Sequence, residues 1–417
     1  MGARRGFLKG WTPVSFYEYH VAKRYIQYEN ALGELPKYLS LIGRKVLFLE
    51  MCDPVREAVE AKIRAAIRAP SAETVNARMA AESPRYRRYA DMSERFDALR
   101  RGMTFEFMDL GEPVVEEAGI RRTAEYVRRN GFDTVVGVGG GKALDYARAV
   151  THFVDVKIVL VPTLCATNAS VSTLSVIYSS DGQKLQAYWR MDSAPELVLV
   201  DTEVLIETGP RVLAMGIGDI FSTYCEAMCN QRITGRYNLS PQFANEAVEL
   251  SADLLIRQAP EAMEAMRRRR ITPAFESVVS MIMHNCGPLN MICTTGYAHI
   301  LDELFLAFDV AHAVPHGLRV GYAALAMLRM SGYDDAHVLK AARFCNSVGI
   351  PVTLTALGLG GKPFAEWANA FDVTLGASQN HRGLPFPVTK EEMIRGLLEA
   401  DRFLSKSISQ MKWGESI

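Results

Sequence analysis

Two groups of residues in this chain have types and spacings that can do chemistry. The first is Val135-Val136-Gly137-Val138-Gly139-Gly140-Gly141-Lys142-Ala143-Leu144-Asp145, an apolar run, three consecutive glycines and the opening of a helical pattern. Glycines carry no Cβ, so such a backbone can approach a diphosphate closely. The helix that follows offers unpaired N–H groups and a positive dipole end. The spacing is not G-x-G-x-x-G, because Lys142 stands where the last glycine belongs; nor is it a Walker A loop, because no Ser or Thr follows the lysine. The other reading of these residues is a tight strand-to-helix turn, glycine-rich for packing alone. Glu50, which closes the first strand-like run KVLFLE at 45–50, bears on the nucleotide. An acid at a strand end accepts hydrogen bonds from ribose hydroxyls and repels a 2′-phosphate, which favours NAD over NADP. The plain alternative is a surface carboxylate.

The second group is Asp219, His299 and His316, in GIGD, TGYAH and VPHG. One carboxylate and two imidazoles suit zinc or ferrous iron. Three protein ligands also leave a coordination position for substrate. No short motif links the three, and a histidine on an apolar helix is otherwise a hydrogen-bonded core residue.

These residues need elements to hold them. Apolar runs at 45–50, 104–108 and 157–163, and FDTVVGVGGG running into its glycines, with a later run in ELVLVDTEVL, alternate with helical patterns. Such alternation predicts a doubly wound, mostly parallel sheet. The helix EEAGIRRTAEYVRRNG carries its own glycine stop. After about residue 205 strand-like runs cease and helical periodicity takes over, so an α/β domain over 1–205 and an all-α domain over 206–417 are expected. Thr389 and Glu392 form a capping box before the last helix. RRRR at 267–270 follows Glu261 and Glu264 and reads as a solvated helix face and turn.

Composition narrows the partners. Lys+Arg and Asp+Glu are both 47, so bulk charge implies neither nucleic acid nor an anionic membrane surface. Seven cysteines without a C-x-x-C pair argue against a disulfide framework or a zinc cluster. No run reaches the ~20 apolar residues needed to span a bilayer. A reduced, cytoplasmic protein acting on a small molecule is expected.

The chain resembles the glycerol dehydrogenase branch of the iron-containing alcohol dehydrogenase superfamily, with the dehydroquinate synthase-like fold, over roughly residues 24–52 and 104–404. The matching segments are RYIQYENALGELPKYL, GFDTVVGVGGGKALDYARAV, VPTLCATNASVSTLSVIYSSDG, PELVLVDTEVL, GIGDIFSTYCEA, AHAVPHG and GLPFPVTKEEMIRGLLEAD. The resemblance implies an NAD-dependent, metal-assisted dehydrogenase of a small polyol or hydroxyketone, with the site between the two domains and a homo-oligomeric assembly. It matches the diphosphate site to Gly139, Gly140, Gly141 and Lys142, with Asp145 beyond on the helix. Thr163, Ser172, Leu174 and Tyr178 match the nicotinamide contacts, Glu50 the ribose acid, and Asp219, His299 and His316 the metal ligands, carrying zinc ahead of iron.

Three departures stand out. Asn168 replaces the Asp that lies against the bound polyol in glycerol dehydrogenases, which implies a substrate other than glycerol. Asp302 stands where a second histidine commonly follows His299. Residues 1–20 and about 60–100 read as an added segment and an inserted helical hairpin. Competing expectations are a glycerol-1-phosphate dehydrogenase, which wants a basic cluster not placed here, and an NAD-using cyclase of the dehydroquinate synthase type. A metal-free NAD-binding scaffold is the non-enzyme alternative, and it needs none of the three candidate ligands.

Overall fold

The structure is a computed structural model and describes residues 22–51, 54–68, 93–111, 114–182, 185–192, 194–234, 242–285, 296–378, 384 and 388–410. The added segment 1–20, most of the 60–100 insertion and most of GLPFPVT lie outside the described residues. Within the insertion, helices run at Arg56–Arg68 and Ser93–Arg100.

Six parallel strands form one sheet in the order β1-β8-β5-β4-β2-β3, where β1 is Tyr25–Tyr28, β2 Lys45–Glu50, β3 Thr104–Asp109, β4 Thr134–Gly139, β5 Lys157–Pro162 and β8 Leu197–Asp201. β4 and β8 are buried at every position and β2 at all but its first, so their β-branched and aliphatic side chains face packed layers on both sides. Val46, Phe48, Val136, Val138 and Val159 fill one face beneath Leu35, Leu39, Val59 and Ile63. Leu47, Leu49, Val135, Leu160 and Val198 fill the other, in a core that continues without a break into the helical half. The doubly wound parallel sheet expected from the alternation is the observed one.

The chain adds β3 outside β2, then returns to place β4 on the opposite side of β2. That reversal is the switch point of the sheet, beyond which open α/β folds place ligands. The register sets Glu50 beside Val138, so the acid and the glycine turn emerge next to each other.

Three strands differ from the sequence reading. β1 is short and half-buried at the sheet edge, so Glu50 closes the second strand of the chain. The stretch between β5 and β8 contains an antiparallel hairpin of β6 (Leu174–Tyr178) and β7 (Leu185–Arg190). It stands outside the main sheet against the helix Gly141–Val150, where Trp189 stacks on His152 at 5.1 Å.

Beyond Asp201 no described residue is in a strand. Two long helices, Pro210–Thr234 and His316–Met330, form the centre of the helical half, with Tyr297–Phe305 packed against His316–Met330. Pro210–Cys229 has the length and composition to cross a membrane, but 83% of its apolar window is buried inside the protein. The capping box closes as expected: Glu392 N donates to Thr389 Oγ1 at 3.2 Å, and Thr389 N to Glu392 Oε2 at 2.9 Å. Gly131, at φ 65°, stops the helix Glu117–Asn130. Arg267–Arg270 is an exposed helix end, with Arg267 and Arg268 on Glu264 and Arg269 on Glu207.

Candidate active site

At the nucleotide end, Gly139 takes φ 145°, a conformation that side-chain-bearing residues avoid. A Cβ on Gly140 would lie 2.8 Å from Leu164 Cδ1. The turn is therefore tight on its protein side. The helix it opens, Gly141–Val150, has Gly140 as N-cap and no side-chain acceptor there, which leaves its first N–H groups for a ligand. Lys142 is exposed beside the turn, its Nζ 5.9 Å from the centre of the Tyr178 ring. Glu50 is buried, and its Oε1 has no hydrogen-bond partner among the described residues. A buried orphan acceptor next to an uncapped glycine turn fits an adenosine ribose and diphosphate.

Burial and the neighbouring Glu60 carboxylate push the Glu50 acid from 4.5 up to about 7. The fold thus holds a proton that the unfolded chain releases near 4.5, so the free protein loses stability as pH rises from about 4.5 to about 7. Glu50→Gln is expected to raise the melting temperature at pH 8 and leave it nearly unchanged at pH 5. Equal melting of the two proteins at pH 8 would remove Glu50 as the cause.

Asp145 is turned inward. Its carboxylate accepts from Arg148 Nη1 at 2.8 Å and from Val176 N at 3.3 Å. Arg148, fully buried, also donates to Leu174 O at 2.7 Å and to Ala169 O. This pair ties the hairpin and the 163–173 loop to the glycine-turn helix, so Asp145 acts on the site through the elements it holds. Thr163 is buried, and its N–H donates to Gly139 O at 3.1 Å. Ser172 Oγ accepts from Leu174 N at 2.9 Å. Asn168 is half-exposed in the same loop, its carbonyl accepting from Val171 N at 3.2 Å.

The loop also touches the helical half. Ser170 Oγ lies 3.4 Å from Met283 O, and the Cys165 carbonyl packs against the backbone of Gly216. Tyr178 is within reach of charges from both halves: burial and Asp145 push its hydroxyl up, Arg319 opposes them, and Asp302 adds to them.

Asp219, His299 and His316 converge although far apart in sequence. Their ligand atoms lie within 4.8 Å of one another. His299 Nε2 is 3.7 Å and His316 Nε2 3.6 Å from Asp219 Oδ1. The Asp219 side chain is 7% exposed and that of His316 41%, so the cluster opens on the His316 side. The approach depends on glycine: a Cβ on Gly218 would lie 2.1 Å from Gly317 O, and one on Gly317 1.9 Å from Met215 O. The two long helices therefore cross with backbones in contact, and the residues next to those glycines are Asp219 and His316.

Burial alone would push Asp219 up, yet the two imidazoles hold it well below the carboxylate range. Burial would lower both histidines, but Glu226 and Asp219 keep His299 well above its usual value, and Asp302 with Asp219 raises His316 to about 9. Without a cation the cluster balances its charge with protons, which a divalent cation would displace. The donor set and its spacing fit such an ion.

Sequence reasoning did not pick out Glu226, Arg148 or Arg319. Helical spacing carried a signal for two of them. Glu226 follows Asp219 by about two turns, and Arg319 follows His316 by about one, so each shares a face with a candidate ligand.

Residues 87–202 match the family model for iron-containing alcohol dehydrogenases. The glycerol dehydrogenase of Thermotoga maritima is 31% identical over 276 residues, 65% of this chain and 75% of that protein. That of Pseudomonas putida is 29% identical over 286 residues, 68% of this chain and 78% of that protein. The crystal structure of a probable glycerol dehydrogenase from Sinorhizobium meliloti 1021 shares the fold, with a TM-score of 0.77 at 23% identity, covering 93% of this chain and 99% of that one. The chain belongs to the iron-containing alcohol dehydrogenase family, on its glycerol dehydrogenase branch.

Proposed function

We propose that this protein is an NAD-dependent, metal-assisted dehydrogenase interconverting a small polyol or secondary alcohol with its ketone. The observation that carries the proposal is the convergence of Asp219, His299 and His316, in the half of the molecule whose Arg319 and Asp302 lie within electrostatic reach of Tyr178. In this reading the α/β half, to about residue 205, holds the coenzyme, and the helical half after it holds the ion, zinc ahead of iron.

When bound, a divalent cation supplies Lewis-acid polarisation of the substrate hydroxyl, and NAD supplies the hydride acceptor. The chain supplies position. Gly139, Gly140, Gly141 and Lys142 cradle the diphosphate, and Glu50 accepts from the ribose. Thr163, Ser172, Leu174 and Tyr178 line the nicotinamide side. The Asp145–Arg148 pair holds the hairpin that presents Leu174 and Tyr178. Asn168 would orient the substrate by hydrogen bonds.

An amide both donates and accepts, whereas a carboxylate only accepts. Asn168 thus suits a substrate with an acceptor where glycerol offers a hydroxyl donor, such as a hydroxyketone. Asn168→Asp is expected to move the kcat/KM ratio toward glycerol by about tenfold, one hydrogen bond's worth. An unchanged ratio would clear Asn168 of the role. The reading as a whole is tested by following NADH absorbance over a panel of polyols and hydroxyketones, with and without chelator. Chelator-sensitive turnover supports it. Silence across the panel, with NAD still bound, overturns it in favour of a phosphorylated substrate or a cyclase.

A further inference from the structure

The two imidazoles are gripped from behind by side chains outside the three candidate ligands. On one side Glu226, about two turns along the helix from Asp219, accepts at Oε1 from the His299 backbone N–H at 2.9 Å and from His299 Nδ1 at 2.9 Å. Its Oε2 lies 3.0 Å from the same ring nitrogen. Glu226 is 2% exposed. It has room only because residue 296 is glycine: a Cβ there would lie 2.6 Å from both Glu226 Cβ and Glu226 Cγ.

On the other side Asp302, one turn past His299, accepts from His316 Nδ1 at 2.7 Å. Arg319 braces it, with Nε to Asp302 Oδ1 at 2.6 Å and Nη2 to Asp302 Oδ2 at 3.2 Å. The remaining guanidinium nitrogen donates to the carbonyls of Ala311, at 3.1 Å, and Val314, in the segment that leads into His316. Asp302 and Arg319 are both buried.

A carboxylate can only accept, so each one holds a ring hydrogen on Nδ1, and Nε2, which faces Asp219, is the nitrogen that would give up its proton to a cation. The charges agree with that arrangement. Asp219, Glu226 and Asp302 against Arg319 leave two negative charges around two neutral imidazoles, the complement of a dication.

We infer that Glu226 and Asp302, the latter braced by Arg319, are positioning residues that fix both histidines as Nε2 donors and set the affinity of the site for a divalent cation. The inference rests on the proposed function in taking the cluster to be a metal site. Outer carboxylates of this kind raise ligand basicity and hold ring orientation, and losing one costs about 10- to 100-fold in metal affinity.

The test is zinc affinity, measured by competition with a chromogenic chelator on metal-stripped protein. Glu226→Gln and Asp302→Asn keep the side-chain size and remove the charge. Each is expected to weaken zinc binding by about 10- to 100-fold, read on protein whose circular dichroism shows it folded. A merely structural role would move the melting temperature and spare the affinity. Asp219→Asn separates the two levels. If wild type shows no zinc site that is lost with Asp219, the metal reading fails and this inference with it. If that site is present but both outer variants, folded, bind zinc within about threefold of wild type, this inference alone fails. Should a variant not fold, cadmium-loaded wild type with isotope-labelled histidine decides. Coupling of the metal to Nε2 of both rings supports the assignment, and coupling to Nδ1 of either overturns it.

Discussion

Asp219→Asn is expected to lower kcat/KM by at least about 10³-fold while leaving the fold intact. The substitution conserves volume in a buried position and removes the one negative charge that both Nε2 atoms face. A Lewis acid contributes several kcal/mol of transition-state stabilisation, and about 4 kcal/mol corresponds to that factor. The carboxylate makes a second contribution in the metal-free protein, where it is paired with two raised imidazoles. Its loss there should lower the histidines as well, so the metal-free variant melts below wild type at pH 7. Steady-state kinetics on wild type, chelated wild type and the variant, with melting curves of the metal-free proteins at pH 7, check both parts. Activity within tenfold of wild type would remove Asp219 from the chemistry.

Gly317→Ala tests how the site is built. The added methyl would lie 1.9 Å from Met215 O and 2.6 Å from Met215 C. Both are backbone atoms on a neighbouring helix and neither can rotate away. The helices Pro210–Thr234 and His316–Met330 must separate, at a cost of roughly 3 kcal/mol in stability. Separation carries His316 away from Asp219, so zinc affinity falls together with the melting temperature. Gly102→Ala, whose methyl would meet nothing within 4 Å, is the control and should stay within about 0.5 kcal/mol of wild type. A Gly317→Ala protein as stable as that control would mean the helix crossing is not set by the glycine contact.

The strands at 45–50, 134–139, 157–162 and 197–201 were legible because continuous apolar runs bounded by turns are what a parallel sheet buried on both faces requires. β1 was not legible, since YIQY is four half-buried residues at an edge and borrows its regularity from β8. The β6–β7 hairpin is not legible either. Its alternation is short, and its outward positions are Gln186, Tyr188 and Arg190, so the apolar signal is halved.

The nucleotide end was legible locally, because one strand, one turn and one helix in sequence make it. Asp219, His299 and His316 are a different case. Nothing in their spacing anticipates a helix crossing, so they were singled out by residue type and by resemblance to a family. Glu226 and Arg319 carry little signal because a charged residue on a long helix is ordinarily a solvated one. Asp302 stands out in the sequence as a departure, but only the folded chain shows that it faces His316 from behind.

The loop from Thr163 to Thr173 is fastened largely through its main chain. Ala169 O takes Arg148, Cys165 O packs on Gly216, Thr163 N reaches Gly139 O and Asn168 O takes Val171 N. Every amino acid brings those same carbonyls. These four fastenings are made, on the loop side, by atoms that a change of side chain does not remove.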